Sequence, residues 1–180
     1  MIKWAIIAFT AAAIGSLLVW RNAAQATDTV PKVGALAPMF TLPDQTGKPR
    51  SSGDFLGKWL VLYFYPKDDT PGCTQEACTF RDDWHQLTAL GAQVVGISVD
   101  DTLSHAAFAK KYHLPFPLLA DESGAVAAHY GSLRNFGLFR IARRNTFLID
   151  PQGRVAQVYL SASTSRNSQE VINDLKKLKR

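Results

Sequence analysis

The chain has 180 residues, 47% of them hydrophobic and 19% charged, with a formal net charge of +5. That is enough for one domain with a sizeable core, and it excludes a disordered or low-complexity chain. The lysines and arginines are scattered rather than gathered along one stripe, which argues against nucleic acid as a partner.

The first element is apolar. In "MIKWAIIAFTAAAIGSLLVW" Lys3 precedes an uninterrupted apolar stretch from Trp4, and Arg21 follows it. Next, Ala24-Gln25-Ala26 has the small-x-small pattern of a signal-peptidase site. The stretch is long for the apolar part of an export signal and slightly short for a spanning helix, which needs about 20 residues. It fits a signal peptide, residues 1–26, cut after Ala26. An uncut membrane tether through residues 1–21 is the alternative. Both fates export residues 27–180, to the periplasm or an equivalent extracytoplasmic compartment.

Residues 27–37 form a polar leader without periodicity. "APMFTLPDQTGKPRSSGDFLGK" offers short extended pieces broken by turn chemistry at Pro43-Asp44 and Thr46-Gly47. "WLVLYFY", Trp59 to Tyr65, is an aromatic and β-branched run that predicts a strand buried on both faces. From Cys73 to about Leu90, Ala77, Phe80, Trp84 and Leu87 recur at helical steps, and Gly91 makes a stop. "AQVVGISVD" predicts a second buried strand. Asp100 and Asp101 can cap a helix that runs through Phe108 to His113. "FPLLAD" then reads as a short strand and "SGAVAAHYG" as a short helix. "NTFLID" and "RVAQVYL" flank Pro151-Gln152-Gly153 as a β-hairpin, and a closing helix carries Val171, Leu175 and Leu178 on one face. Strands alternating with helices, then a hairpin and a last helix, predict one α/β domain with a mixed central sheet and right-handed crossovers.

The only two cysteines, Cys73 and Cys78, lie in "YFYPKDDTPGCTQEACTF". A strand that ends at Pro66, then a loop and a helix start, puts Cys73 at a helix N-terminus. Unpaired N–H groups and the positive end of the dipole there favour thiolate, the reactive form. Five residues along an intact helix is a rise of roughly 7.5 Å and a turn of about 140°. A disulfide needs Cα atoms about 4.4–6.8 Å apart with facing side chains. Bonding therefore requires local unwinding. A static disulfide is the usual use of two cysteines in an oxidising compartment, but so small a loop would gain little from one. On spacing alone, the static and the switchable pair stand level.

Pro66-Lys-Asp-Asp-Thr70-Pro-Gly-Cys73 matches the P-x-x-x-T-x-x-C signature of the peroxiredoxins. The longer "YPKDDTPGCTQEAC" resembles the peroxiredoxin Q, or bacterioferritin comigratory protein, branch. "APMFTLPDQTG", "VVGISVDD" and "RNTFLIDPQGRV" extend the resemblance over roughly residues 33–178. It implies a thioredoxin-like fold and a monomeric thiol peroxidase acting on hydrogen peroxide and organic hydroperoxides. Cys73 would be the peroxidatic cysteine and Cys78 the resolving one, forming an intramolecular disulfide that thioredoxin or a thioredoxin-like donor reduces. Thr70 would hydrogen-bond thiolate and peroxide, and Pro66 would shield the pocket. Backbone N–H groups near Gly72 and Cys73 would bind the peroxide oxygens. Arg144 matches the family's site arginine by register, with Arg143 as the alternative. Glu76 sits where the family often has a glutamate that orients this arginine, or else is an exposed first-turn carboxylate. The segment "GSLRNFGLFRIARR" departs from the family pattern.

Other readings share the fold class. A thioredoxin-like oxidoreductase would normally show C-x-x-C. A copper-delivery protein would pair its cysteines with a histidine, but His85, His105, His113 and His129 show no ligand spacing with them and read as surface or helix-face residues. No heme, flavin, nucleotide or metal motif occurs, so no cofactor is expected.

Overall fold

A computed structural model describes residues 29–179. The expected signal peptide or tether lies outside the described residues. Among the described residues no helix is long and apolar enough to cross a membrane.

Two short strands, β1 (Thr41–Pro43) and β2 (Pro49–Ser51), pair as an antiparallel hairpin. Its turn is organised by buried Asp44, whose carboxylate accepts from the N–H groups of Thr46 and Lys48 and from the Arg50 Nε. After a 3-10 turn over Ser52–Phe55 come β3 (Trp59–Phe64), α1 (Pro71–Asp82), α2 (Trp84–Ala89) and β4 (Ala92–Ser98). Then follow α3 (Thr102–Tyr112), β5 (Leu118–Ala120), α4 (Ala125–His129) and a second hairpin, β6 (Leu133–Asn135) and β7 (Arg140–Ala142). The chain closes with β8 (Asn145–Ile149), β9 (Val155–Tyr159) and α5 (Asn167–Leu178).

The central sheet has the order β5-β4-β3-β8-β9. Strand β3 lies in its middle, parallel to β4 and antiparallel to β8. That position explains its unbroken apolar run. Val61, Tyr63 and Tyr65 face one side, where they meet Phe80 of α1, Leu87 of α2, Phe108 of α3 and Val171, Ile172 and Leu175 of α5. Leu60, Leu62 and Phe64 face the other, covered by Val126 and Ala127 of α4 with Phe40, Phe55 and Tyr130. The period-2 alternation of a pleated strand thus feeds two cores from one run of seven residues.

Three details differ from expectation. The helix expected from Cys73 to Leu90 starts two residues earlier, with Pro71 in its first turn, and breaks at Asp83 (φ −89°, ψ 2°) into α1 and α2. The apolar period survives the break because Asp83 N–H still donates to Thr79 and Leu87 N–H to Asp83. On α5, Ile172 rather than Leu178 completes the buried face, and Leu178 is exposed at the frayed end. Asp101 alone caps α3, accepting from Ser104 N–H at 2.8 Å. Asp100 instead holds the Ser98 hydroxyl and the Asp68 N–H.

Candidate active site

Strand β3 delivers the chain to Pro66, and the loop from there to Thr70 turns it into α1. Asp69 adopts a left-handed φ of 54°, uncommon for a residue with a side chain, and is held there by Lys111 Nζ and the Tyr112 hydroxyl. Beside it, buried Asp68 accepts from the hydroxyls of Tyr65 at 2.7 Å and Ser104 at 2.8 Å, and its Oδ2 lies 2.8 Å from His105 Nδ1. Both anchors belong to α3, so the active-site loop is fastened to a helix remote in sequence. Sequence reasoning missed this network. His105 is fully buried, whereas His85, His113 and His129 are exposed.

Thr70 is the N-cap of α1, with extended backbone (φ −88°, ψ 150°), and its hydroxyl donates to the Lys67 carbonyl at 3.1 Å. The hydroxyl thus bonds the loop, not the Cys73 sulfur that the resemblance implies, and its oxygen is left to accept from a bound molecule. Pro71 follows at the first helical position, where its missing N–H costs nothing. Gly72 and Cys73 come next, and N–H groups at these positions have no intrahelical partner.

The Cys73 side chain is 1% exposed and faces inward. Arg144 Nη2 lies 3.3 Å from its sulfur, and Nη1 pairs with Glu76 Oε2. One guanidinium thus bridges the thiol and a carboxylate three residues further along the same helix face. Glu76 is 0% exposed, and its other oxygen has no partner. Burial pushes its carboxyl up to about 7, against the pull of Arg144, which acts to lower it. Burial of Arg144 works against its charge, yet the Glu76 carboxylate and the Cys73 sulfur raise its pKa above the ordinary value. The open question over Glu76 is answered: it is buried against Arg144 rather than exposed.

The structure also separates the two candidate arginines. Arg143 is exposed and donates to the Leu133 carbonyl. Arg144 is turned the other way and held by its backbone, since its carbonyl accepts from Ala162 N–H at 2.8 Å. Buried Asn145 supports the same corner, bonding the Ser132 hydroxyl and Ser161 N–H. Gly72 packs against the guanidinium, where a Cβ would meet Nη2 at 3.4 Å, an ordinary contact distance.

Cys78 is half-buried on α1, and both cysteines are free thiols. Arg81 lies beside its sulfur while bonding Asp82 and the Tyr112 carbonyl. Pro66 and Arg144 share the wall of an open pocket of about 390 Å³, with Ile141, Ala142, Leu160 and Arg134 among the other lining residues. A buried sulfur at a helix start, bridged by a guanidinium and with acceptor and N–H groups beside it, can receive a small polar molecule against the sulfur.

Residues 33–158 match the profile of the AhpC/TSA family. The chain belongs to that family. Its relatives place it in the peroxiredoxin Q branch, a family of thiol peroxidases. A putative peroxiredoxin bcp of Coxiella burnetii is 45% identical over 148 residues, covering 80% of this chain and 98% of the relative. The chloroplastic peroxiredoxin Q of Triticum aestivum is 50% identical over 127 residues. This chain spans only 58% of that longer plant protein. Among solved structures, peroxidoxin BcpB of Mycobacterium tuberculosis superposes with a TM-score of 0.79 at 38% identity, covering 82% of this chain and 98% of that one. The bacterioferritin comigratory protein of Xanthomonas campestris, described for its alkyl peroxide reduction activity, gives 0.75 at 30% identity, with 84% and 99% covered. The α/β fold with its mixed central sheet, expected to be thioredoxin-like, is the fold these peroxiredoxins share.

Proposed function

We infer that Cys73 is the peroxidatic thiolate and that Cys78 resolves it on the same chain. The single observation that carries this reading is the Arg144 bridge between the Cys73 sulfur and Glu76. Cys73 attacks the terminal oxygen of a hydroperoxide. An S–O bond forms, the O–O bond breaks, and the alcohol or water leaves with a proton. Arg144 and the orphan N–H groups of the α1 start stabilise charge on the oxygens, and the Thr70 oxygen accepts a hydrogen bond from the hydroperoxide O–H. Pro66 closes the apolar side of the pocket. The Cys78 thiolate then attacks the sulfenic sulfur, expelling the oxygen as water, and a dithiol donor of the thioredoxin kind reduces the disulfide.

The pocket's apolar lining by Ile141, Ala142 and Leu160 supports organic hydroperoxides beside hydrogen peroxide. Placing both thiols on α1 supports action as a monomer, because resolution needs no second chain. The apolar stretch from Trp4 and the Ala24-Gln25-Ala26 pattern support export, by a cleaved signal or a retained tether. The test is peroxide consumption with a thioredoxin system by wild type, Cys73→Ser and Cys78→Ser. The expected result is no reaction for Cys73→Ser and a single turnover for Cys78→Ser. A wild-type protein that consumes no peroxide with any dithiol donor would sink the reading.

A further inference from the structure

The hairpin of β6 and β7 is the segment that departs from the family pattern, and nothing in the peroxidase chemistry uses its tip. Phe136 is 53% exposed, Phe139 60% and Leu138 101%, whereas the other described Phe, Tyr and Trp side chains are buried or half-buried. The two phenylalanine rings stack at 4.8 Å, across a turn in which Gly137 takes a left-handed φ of 82°. The tip is therefore a preformed apolar knob rather than a loose loop.

Below the knob, Arg134, Arg140 and Arg143 are exposed, and none pairs with a carboxylate among the described residues. Between Glu122 and Asp150 the chain carries no acidic residue at all. An apolar tip with a cationic collar and no compensating acid complements an anionic headgroup layer over acyl chains.

The leader meets the domain at this same place. The backbone of Thr29 and Val30 packs so closely on Gly131 that a Cβ there would lie 2.6 Å from Val30 N. Only residues 21–28 separate this point from the apolar stretch, a reach of at most about 29 Å. A membrane that took up that stretch would lie within reach of the hairpin.

We propose that the hairpin tip, Phe136 to Phe139, with Arg134, Arg140 and Arg143 docks the domain on an anionic lipid surface. Leu138 and the phenylalanine rings enter the interface while the arginines contact the headgroups. Because Arg134, Ile141 and Arg143 also line the pocket that Pro66 and Arg144 share, docking turns that pocket toward the bilayer. The inference goes beyond the peroxidase reading and rests in part on taking the N-terminal stretch as membrane-directed.

The test removes that stretch. Residues 27–180 hold every described strand and helix and both cores, and the Coxiella relative is 98% covered by this domain. This domain is sedimented with vesicles of phosphatidylcholine and phosphatidylglycerol, and with phosphatidylcholine alone. Wild type is expected to bind the anionic vesicles and to be released by salt. Leu138→Ser/Phe139→Ser should cut partitioning about tenfold or more, and Arg134→Gln/Arg140→Gln by about tenfold on the anionic vesicles only. Both substituted apolar side chains are exposed, so circular dichroism and the first peroxide turnover serve as controls that the variant is folded. Absence of wild-type binding, or equal binding by the Leu138/Phe139 variant, overturns the proposal. So does a variant that binds vesicles normally but loses donor-driven turnover while keeping the first, since the tip would then receive the reducing protein.

Discussion

Arg144 does two jobs at one guanidinium: it faces a sulfur on one nitrogen and a buried carboxylate on another. Replacing it with glutamine removes the charge and the fork, and the rate of the Cys73 reaction with peroxide should fall about 10²–10³-fold in stopped-flow measurements. Arg144→Lys should recover only part of that loss, because a single ammonium cannot span both partners. A rate unchanged in Arg144→Gln would remove Arg144 from the mechanism. Glu76 makes a separate, pH-dependent contribution. Folded, its carboxyl holds its proton up to about 7, against an ordinary value of 4.5. Stability from this group is therefore complete below about pH 4.5 and is lost as pH rises through 7. The full difference is on the order of 3 kcal/mol. Urea melts at pH 5 and pH 8 should show wild type losing stability relative to Glu76→Gln over that interval. Parallel pH curves for the two proteins would refute the assignment.

At the scale of elements, the first turns of α1 must open for Cys73 to reach Cys78. In the reduced fold Cys73 is packed into the core beside Ala77 and Phe80. Oxidation by one equivalent of peroxide should accelerate amide exchange across Pro71–Asp82 in wild type and leave Cys78→Ser protected. Equal protection in both would mean that the disulfide forms without unwinding. The loop before α1 is the fixed side of this hinge. His105→Ala would remove one of the three side-chain partners of buried Asp68 and leave a void against Tyr65, costing about 1–3 kcal/mol. The exposed Lys111–Asp69 pair should contribute less, because water screens it. Denaturant midpoints of His105→Ala and Lys111→Ala rank the two anchors, and the reverse order would contradict the burial argument.

Across the whole molecule, the sheet is so tightly filled that one backbone position has no room for a methyl group. A Cβ on Gly96 would lie 2.7 Å from the Tyr63 ring and 2.8 Å from Leu118. Tyr63 in turn stacks on Phe80 of α1 at 4.9 Å, so this contact joins strand, sheet neighbour and active-site helix. Gly96→Ala should lower stability by about 1–3 kcal/mol through overpacking, read as a shift in the urea midpoint. An unchanged midpoint would show that Tyr63 can move aside at no cost. The same scale explains the charge layout. The site's own cation pairs with buried Glu76, whereas Arg134, Arg140 and Arg143 have no carboxylate partner among the described residues.

Local patterns in the sequence determined the five strands of the central sheet, the helix start near Cys73, and the hairpin around Pro151-Gln152-Gly153, but not the β6–β7 hairpin. Each depends on neighbours within a few residues: an alternating or continuous apolar run, a strand that stops at a proline, a turn tripeptide. The break at Asp83 was invisible because the hydrogen bonds and the apolar period continue across it. Register against the family motif pointed to Arg144 over Arg143, but its bridge to Cys73 and the burial of Glu76 and His105 were decided by the tertiary structure. It is the Ala162–Arg144 backbone bond and the corner held by Asn145 that turn one guanidinium onto the sulfur and the other toward Leu133. Burial likewise belongs to the packed elements, because a carboxylate or imidazole is enclosed only when remote chain segments close over it.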